Sequence, residues 1–257
     1  MKTVFFDEDL FDTDGPFQAY FAGLMASDGH IHKNKTYASI SQSGEYGLSL
    51  IEQIKKHLNH NGIIYHSKNA HNLYLNSIKL IRFLEKYNIT PVKSLTYEFP
   101  TMPNDLLPYF LRGYFDGDGS LGYYKTNTSK IFEISVVGTK NFIDVCNQHM
   151  PICGAKRQLK AKNCWELRWY GKKAFKIYKY LYQDTSLVKI KSAKQTKFEK
   201  FIFHHIKMPK IETLGERFVN EYNSGKSMLL IANELGVAFQ TLYDWRDKLN
   251  LIRRYKC

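Results

Sequence analysis

Two copies of one nine-residue pattern constrain the fold of this chain more than any other feature of its sequence. The first copy is FAGLMASDG at residues 21–29, and the second is LRGYFDGDG at residues 111–119. Each begins with a large apolar residue, has glycine in third place and ends in Asp-Gly, at Asp28 and at Asp118. A repeated unit in a chain of 257 residues predicts two similar halves about a common axis. Two such halves would bring the two carboxylates together.

Both copies are expected to form helices whose small residues lie four positions apart on one face. These small residues are Ala22 and Ala26, Gly23 and Ser27, and Gly113 and Gly117. Faces of this kind let two helix backbones approach closely. Asp28 and Asp118 then fall at the helix C-termini, where Gly29 and Gly119 are expected to take the left-handed cap conformation. A carboxylate at the negative end of a helix dipole is well placed to hold a divalent cation. Two ordinary helices that end in solvated Asp-Gly turns are the alternative interpretation.

Both segments resemble the signature of the LAGLIDADG homing endonucleases. The resemblance continues in PVKSL at 91–95, in Phe99-Pro100 and in FLRGYFDGDGS at 110–120, which are similar to the linker and second motif of the single-chain members. It covers about residues 17–207 and departs from the family at Ala26, where an acidic residue is usual. The resemblance implies an α+β fold of two pseudo-symmetric αββαββα halves that form a saddle. It also implies a monomeric, Mg²⁺- or Mn²⁺-dependent enzyme, encoded in an intron or a free-standing mobile gene, that makes double-strand breaks at specific DNA sites.

The same resemblance implies roles for individual residues. Asp28 and Asp118 would bind metal, and each half would add a basic residue from a late loop. Lys93 matches that position in the first half. In the second half Lys191 is preferred for this role, with Lys189 as its competitor. In the first half Gln42 matches a family position that orients water, and the second half has no convincing counterpart of it. From the residues alone, each lysine is a phosphate contact or a solvated side chain.

Basic charge is concentrated in the second part of the chain. Residues 1–120 hold 11 Lys and Arg against 13 Asp and Glu, whereas residues 121–257 hold 26 against 11. A segment with a net charge of +15 is difficult to keep compact unless a polyanion neutralises it, and nucleic acid is the usual polyanion. A solubilising face is the alternative. The charge indicates affinity for double-stranded DNA but carries no sequence preference.

Apolar periodicity predicts the same order of elements after each motif: a β-hairpin, a helix, two strands and a helix. The expected positions are 31–42, 48–58, 62–67, 72–75 and 78–87 in the first half, and 121–137, 140–149, 155–160, 165–170 and 173–182 in the second. Alternation gives each sheet a polar face, and the resemblance implies that this face lies in the DNA major groove. The side chains expected to contact DNA from the sheets are His32, Lys33, Lys35, Lys125, Lys156, Gln158, Lys160 and Arg168.

The C-terminal segment has a helix-turn-helix pattern. SMLLIANELGV at 227–237, followed by QTLYDWR at 240–246, resembles the resolvase-type module. Ala232 is expected to face the partner helix, Gly236 to make the turn, and Val237 and Leu242 to fill the small core. The side chains expected to face DNA are Gln240, Thr241, Tyr243 and Arg246. A helical hairpin that closes the fold is the alternative interpretation. The predicted domains are a leader at 1–16, halves at 17–106 and 107–207, and a helix-turn-helix domain at 211–257.

Composition argues against several other classes of protein. No apolar stretch is long enough to span a membrane, and the acidic N-terminal segment is unlike a signal peptide. The cysteines lack paired CxxC spacing and indicate reduced thiols in an intracellular protein of the cytoplasm, the nucleoid or a host organelle. A zinc site built from Cys146, Cys153 and Cys164 with a histidine is the alternative. Neither a membrane nor an obligate protein partner is expected.

Two other functions are compatible with the sequence. A DNA-binding regulator of the same fold that no longer cleaves is favoured by Ala26 and opposed by the retention of Asp28, Asp118 and Lys93. An intron maturase would use the same fold to bind structured RNA, and a comparison of RNA with duplex DNA binding would separate it from the endonuclease.

Overall fold

A computed structural model describes residues 4–125, 130–161, 163–205, 211–235 and 239–251. The chain divides into two compact units, Met1–Phe198 and Glu199–Cys257. Both repeated motifs lie in the first unit, and the helix-turn-helix segment lies in the second. Within the described residues, no helix combines the length and the apolar character needed to cross a membrane.

The first half has the order of helices and strands predicted from its periodicity. Its elements are α1 (Pro16–Asp28), β1 (Gly29–Ile31), β2 (Ala38–Gln42), α2 (Gly44–His57), β3 (Tyr65–His66), β4 (His71–Leu75) and α3 (Ile78–Lys86). Pro16 stands in the first turn of α1, where a proline interrupts no helical hydrogen bond. Ser77 caps α3, because its hydroxyl accepts the N–H of Leu80 at 3.0 Å.

The second half repeats this order and adds one helix. Its elements are α4 (Leu107–Asp118), β5 (Gly119–Lys125), β6 (Lys130–Gly138), α5 (Lys140–His149), β7 (Ala155–Gln158), β8 (Trp165–Tyr170), α6 (Gly171–Leu181) and α7 (Ala193–His205). The periodicity did not predict α7, whose first five residues, AKQTK at 193–197, include no large apolar side chain; the first one in the helix is Phe198. That side chain is fully buried.

Each half contains one four-stranded antiparallel sheet. The strand orders are β1-β2-β4-β3 and β5-β6-β8-β7. Gly29 lies opposite Ile40 in the first sheet, and Gly119 lies opposite Val136 in the second. Equal strand orders and equal registers confirm the α+β fold with two pseudo-symmetric halves.

The two motif helices, α1 and α4, pack with their backbones in contact at a matched pair of glycines. A Cβ on Gly23 would lie 2.0 Å from the carbonyl oxygen of Phe110, and one on Gly113 would lie 1.9 Å from that of Tyr20. Each distance is far inside van der Waals contact, so no side chain fits at either position. The close approach predicted from the small residues is confirmed.

The prediction that Gly29 and Gly119 adopt left-handed cap conformations is wrong. Both have extended backbones, with φ/ψ of −81°/156° and −74°/156°, because each residue begins a strand directly after its helix. Glycine is required there for space. A Cβ on Gly29 would lie 2.5 Å from the carbonyl oxygen of Met25, and one on Gly119 would lie 2.4 Å from that of Phe115. The aspartate before each glycine is therefore held between a helix end and a strand.

Within the described residues, the C-terminal unit contains the end of α7 and the helices α8 (Ile211–Asn223), α9 (Met228–Leu235) and α10 (Phe239–Lys248). Its core is a cluster of buried side chains: Phe218, Tyr222, Ile231, Ala232, Leu235, Leu242 and Trp245. Leu242 therefore lies in the core, as predicted, and Ala232 is buried between helices. Gly236 and Val237 lie outside the described residues.

The outward orientation predicted for Arg246 is wrong. This residue is only 8% exposed, and its guanidinium donates to the carboxylate of Asp247 at 2.6 and 2.9 Å. It also lies over the ring of Tyr243, 5.0 Å from the ring centre. The long aliphatic stem of arginine can cover a small helical core while its charged end is satisfied locally. Arg246 therefore belongs to the packing of α10.

Candidate active site

Asp28 and Asp118 lie at the C-terminal ends of the paired helices α1 and α4. Burial raises the pKa of the Asp28 carboxyl, against a hydrogen bond from Gln42 and the charges of Lys194 and Lys93. Burial and then the charge of Asp28 raise the pKa of Asp118 to about 6, and the same two lysines oppose this rise. The site therefore holds two neighbouring carboxylates whose negative charges are only partly compensated by the protein.

Lys93 approaches the carboxylates from the loop after α3. It is 7% exposed, and its Nζ donates to the main-chain carbonyl of Ser27, the residue before Asp28, at 3.2 Å. Burial lowers the pKa of this lysine, while the charges of Asp118 and Asp28 raise it. The preceding residue, Val92, has a φ of 64°, in the left-handed region that a β-branched residue rarely adopts, and its side chain is 75% exposed. Strained backbone of this kind is concentrated at functional sites.

Lys194 holds the equivalent position in the second half. Its Nζ donates to the carbonyl of Gly117, the residue before Asp118, at 2.6 Å, and to that of Asp116 at 2.5 Å. Burial lowers the pKa of Lys194, and the charges of Asp116, Asp28 and Asp118 raise it. Lys93 and Lys194 thus contact corresponding carbonyl groups, one in each half.

The second-half lysine that reaches the motif helix is Lys194, whereas the sequence favoured Lys191. At Lys191 the main-chain N–H donates to Oε1 of Gln53 at 2.8 Å, and the carbonyl accepts from Nε2 of the same residue at 3.1 Å. Lys191 and Lys189 are both exposed, whereas Lys194 reaches the motif helix. A capping-box signal in the sequence could have located it. Ser192-Ala-Lys-Gln195 fits the S-x-x-Q pattern, and the Ser192 hydroxyl accepts the N–H of Gln195 at 3.1 Å at the start of α7.

Gln42 makes the two carboxylate sites different. Its Nε2 donates to Oδ2 of Asp28 at 2.6 Å. Because Ile40 and Val136 occupy equal registers opposite Gly29 and Gly119, the counterpart of Gln42 is Gly138, two residues beyond Val136. A Cβ at Gly138 would lie 2.8 Å from the ring of Phe142. At the position of Gln42, the second half therefore has a glycine, which cannot make the same contact with Asp118.

A cavity of about 220 Å³ lies beside Asp118. Gly138, Lys93 and Cys164 contribute to its lining, together with the ring of Tyr114. Gly138 has no side chain to extend into this cavity, whereas the matching residue in the first half, Gln42, has a side chain that is hydrogen-bonded to Asp28.

Asp116, the extra acidic residue of the second motif, has a structural role. Its carboxylate accepts the hydroxyls of Tyr20, at 3.0 Å, and of Tyr182, and it lies 3.9 Å from the guanidinium of Arg112. Ala26 occupies the corresponding position of the first motif and is buried in a helix that has no arginine at the matching place. The departure at Ala26 therefore removes a packing network from the first half and leaves Asp28 in place.

Solved structures of known enzymes share the fold of this chain. The sequence matches no protein-family model and no curated protein. The I-LtrWI LAGLIDADG homing endonuclease bound to target DNA superposes with a TM-score of 0.54 at 14% identity, covering 76% of this chain and 92% of that one. I-GzeII, a LAGLIDADG homing endonuclease in complex with its DNA target, gives 0.53 at 16% identity, over 79% and 97%. I-SmaMI bound to an uncleaved DNA target in the presence of calcium ions gives 0.54 at 14%, over 91% and 97%.

This protein has the LAGLIDADG homing endonuclease fold. The comparison confirms the fold expected from the two motifs, over both halves of the chain.

The carboxylate pair of this LAGLIDADG fold suits a hard divalent cation. Its nearby donors are carboxylate and carbonyl oxygens, which Mg²⁺ and Mn²⁺ prefer over the nitrogen and sulfur donors that favour zinc. Among the described residues, no cluster of three or more His, Cys, Asp or Glu side chains can hold a metal. Asp28 and Asp118 would therefore share the coordination with water and substrate oxygens, as is usual for Mg²⁺. A cation would also relieve the repulsion that raises the pKa of Asp118.

The residues predicted to contact DNA from the second sheet lie on different faces of it. In the second sheet Arg157 pairs with Glu166, and Ala155 with Arg168, so these residues share the face opposite the buried Leu167 and Trp169. Lys156 and Gln158 alternate with Arg157, and the Lys156 side chain bonds the carboxylate of Asp144 on α5 at 2.5 Å. The prediction that grouped Lys156 and Gln158 with the DNA-facing residues is wrong about their face, because the register sets them apart from Arg168.

The remaining predicted DNA contacts have varied surroundings. Lys33 and Lys160 are exposed, the latter two residues beyond the end of β7. Lys35 pairs with Glu85 at 2.5 Å, and His32 stacks on Tyr37 with ring centres 4.7 Å apart. The side chains of Lys125, Gln240 and Thr241 lie outside the described part of the structure.

Proposed function

We propose that this protein is a site-specific endonuclease that makes double-strand breaks in DNA with Mg²⁺ or Mn²⁺. The observation that carries the proposal is the matched pair of half-sites. In each half, an aspartate at the end of a motif helix lies beside a lysine that donates to the preceding carbonyl: the buried Lys93 to Ser27, and the half-buried Lys194 to Gly117. Two adjacent sites related by a pseudo-twofold axis suit two scissile phosphates on opposite strands. The solved structures of the same fold in complex with DNA targets support the choice of substrate.

Each residue of the site has a defined part in this reaction. Asp28 and Asp118 would hold the cation, which supplies Lewis-acid activation of water and of the scissile phosphate when it is bound. Lys93 and Lys194 place positive charge beside the carboxylates, where negative charge develops on the phosphate oxygens. Gln42 fixes the orientation of the Asp28 carboxylate through its 2.6 Å hydrogen bond. The main-chain contact at Gly23 and Gly113 fixes the spacing of the two halves.

The C-terminal unit is proposed to add DNA contacts as a helix-turn-helix. The pattern of α9 and α10 and the core residue Leu242 support this role. Deletion of residues 211–257 should weaken duplex binding and reduce its salt dependence, because phosphate contacts are lost. A salt dependence that is unchanged after the deletion would remove this unit from the DNA interface.

The decisive experiment is cleavage of a supercoiled plasmid library that carries random or intron-insertion sequences. Reactions with Mg²⁺, with Mn²⁺ and with EDTA would be followed by sequencing of the ends produced. Metal-dependent breaks of both strands at one sequence would establish the activity and its target. Tight duplex binding without cleavage in any divalent metal would indicate a regulator, and preferential binding of structured RNA would indicate a maturase.

A further inference from the structure

Four charged side chains form a connected network on the open face of the second sheet. Glu166, the second residue of β8, accepts the Nε of Arg157 on one carboxylate oxygen and the Nη2 of Arg168 on the other, each at 2.6 Å. Arg168 also donates through Nη1 to Glu133 at 3.3 Å and lies 6.0 Å from the ring centre of Tyr170. The network spans three neighbouring strands, β6, β8 and β7.

Exposure separates the members of this network. The side chain of Glu166 is 7% exposed and that of Arg168 is 20% exposed, whereas that of Arg157 is 61% exposed. Exposed ion pairs contribute little to stability, and a buried carboxylate is unfavourable unless it is fully paired. The contact of Glu166 with the exposed Arg157 therefore adds little to the stability of the sheet, whereas its contact with Arg168 pairs the buried carboxylate. Its clearest structural consequence is that Glu166 holds Arg157 in one orientation.

The atom that Arg157 uses for this contact matters for recognition. A guanidinium has five N–H groups in a fixed planar fork, and Glu166 engages Arg157 at Nε. Within the described residues, neither terminal nitrogen of Arg157 has a hydrogen-bond partner, and both lie at the exposed end of the side chain. Guanine presents two acceptors, N7 and O6, in the major groove, and a pair of arginine N–H groups is the commonest specific partner of that edge. In Arg168, by contrast, both terminal nitrogens already contact glutamates.

The geometry points to Arg157 as a residue that reads a guanine base in the DNA target, with Glu166 as its positioning residue and Arg168 as a support. This inference rests on the proposed function, because it assigns the open sheet face to the DNA major groove. It replaces Arg168 with Arg157 as the base-reading arginine of this sheet, and it requires a guanine in the half of the target that faces β7 and β8.

The test compares base preference and overall affinity in matched variants. Wild-type protein and the variants Arg157→Lys, Glu166→Gln and Lys156→Gln would each select duplexes from a randomised library in Ca²⁺, followed by sequencing. The selected duplex and a copy with the preferred guanine replaced by adenine would then be titrated over a range of salt concentrations. Lys156→Gln is the matched control, because it removes charge from the neighbouring residue on the opposite face of β7.

Wild-type protein and Lys156→Gln should prefer guanine at one position by about 10- to 100-fold. Arg157→Lys should lose most of that preference while keeping its affinity for random duplex and its salt dependence, because lysine retains the charge but lacks the fork. Glu166→Gln should reduce the preference although Arg157 is intact, an effect that lost stability would not produce in a folded variant. Thermal unfolding would confirm that each variant is folded.

Retention of the guanine preference by both Arg157→Lys and Glu166→Gln would overturn the inference and leave the network with a purely structural role. If the variants retain the guanine preference, the proposed function still stands as long as the wild-type protein binds duplexes with a sequence preference. Wild-type protein that binds no duplex would instead overturn the proposed function itself.

Discussion

Replacement of Asp118 by asparagine should make the metal-free protein more stable while it abolishes cleavage. Asp118 lies at the exposed end of α4, and partial loss of solvation of its carboxylate together with repulsion from Asp28 raises the pKa of this carboxyl to about 6. The ionised form of this residue therefore destabilises the folded protein at neutral pH. Asparagine has nearly the same shape and no charge, so the variant lacks this unfavourable term. Functional sites commonly carry such a loss of stability.

The size of the effect follows from the difference between the folded and unfolded pKa values. For Asp118 the pKa rises from 3.8 to about 6, which corresponds to about 3 kcal/mol at roughly 1.4 kcal/mol per pKa unit. Asp118 is more than a third exposed, so solvent screening reduces this figure, as does the lost attraction of Lys93 and Lys194, and about 1–2 kcal/mol is expected. Between these two pKa values the folded protein binds more protons than the unfolded chain, and its stability falls as the pH rises. The advantage of the variant should therefore be full above pH 6 and disappear near pH 4.

Urea unfolding at pH 8 and at pH 4, in EDTA and in Mg²⁺, would measure this effect. Asp118→Asn should be more stable than the wild type at pH 8 in EDTA, and Mg²⁺ should stabilise the wild type much more than the variant. Glu52→Gln, an exposed change on α2, should alter stability by less than about 0.5 kcal/mol. A variant that is no more stable than the wild type at pH 8, or that gains equally from Mg²⁺, would refute this account of the site.

Three further changes test other parts of the site. Lys194→Met should reduce the cleavage rate at least about 100-fold while duplex binding is retained, whereas Lys191→Met should have little effect. The reverse result would make Lys191 the active-site lysine of the second half. Val92→Asn should raise the free energy of unfolding by about 1 kcal/mol in urea titrations, because asparagine tolerates a positive φ, and a loss of stability would contradict the strain at Val92. Gln42→Leu should slow the cleavage of one DNA strand more than that of the other, and plasmid assays would show this as an accumulation of nicked circles. Equal slowing of both strands would contradict the difference between the two half-sites, in which Gln42 contacts Asp28 and its counterpart Gly138 has no side chain.

The sequence predicted the parts of this structure that depend on local patterns. The repeated motifs located α1 and α4, and the apolar periodicity located the strands of both sheets. What it missed depends on contacts between segments far apart in the chain. Lys194 was missed because its position is defined by the Gly117 carbonyl, 77 residues away, in a region dense with lysines. The register of β7 against β8, which decides that Arg157 rather than Lys156 shares a face with Arg168, cannot be counted from either strand alone.

The two halves place equivalent lysines by different physical means. In the second half, Arg112 donates to the carbonyls of Val188, at 3.3 Å, and of Ile190, and so ties to α4 the segment that leads into Lys194. The first motif has Ala22 in place of this arginine, and its lysine follows the left-handed Val92.

A single chain permits this divergence, because each half has its own sequence and only the shared interface must remain matched. Gly23 and Gly113 remain glycine because a Cβ at either position would lie about 2 Å from a main-chain oxygen of the other helix. Side chains that only support the site, such as Arg112 and Gln42, are free to differ between the halves. Lys93 and Lys194 therefore reach equivalent carbonyl groups although different contacts hold the two lysines in place.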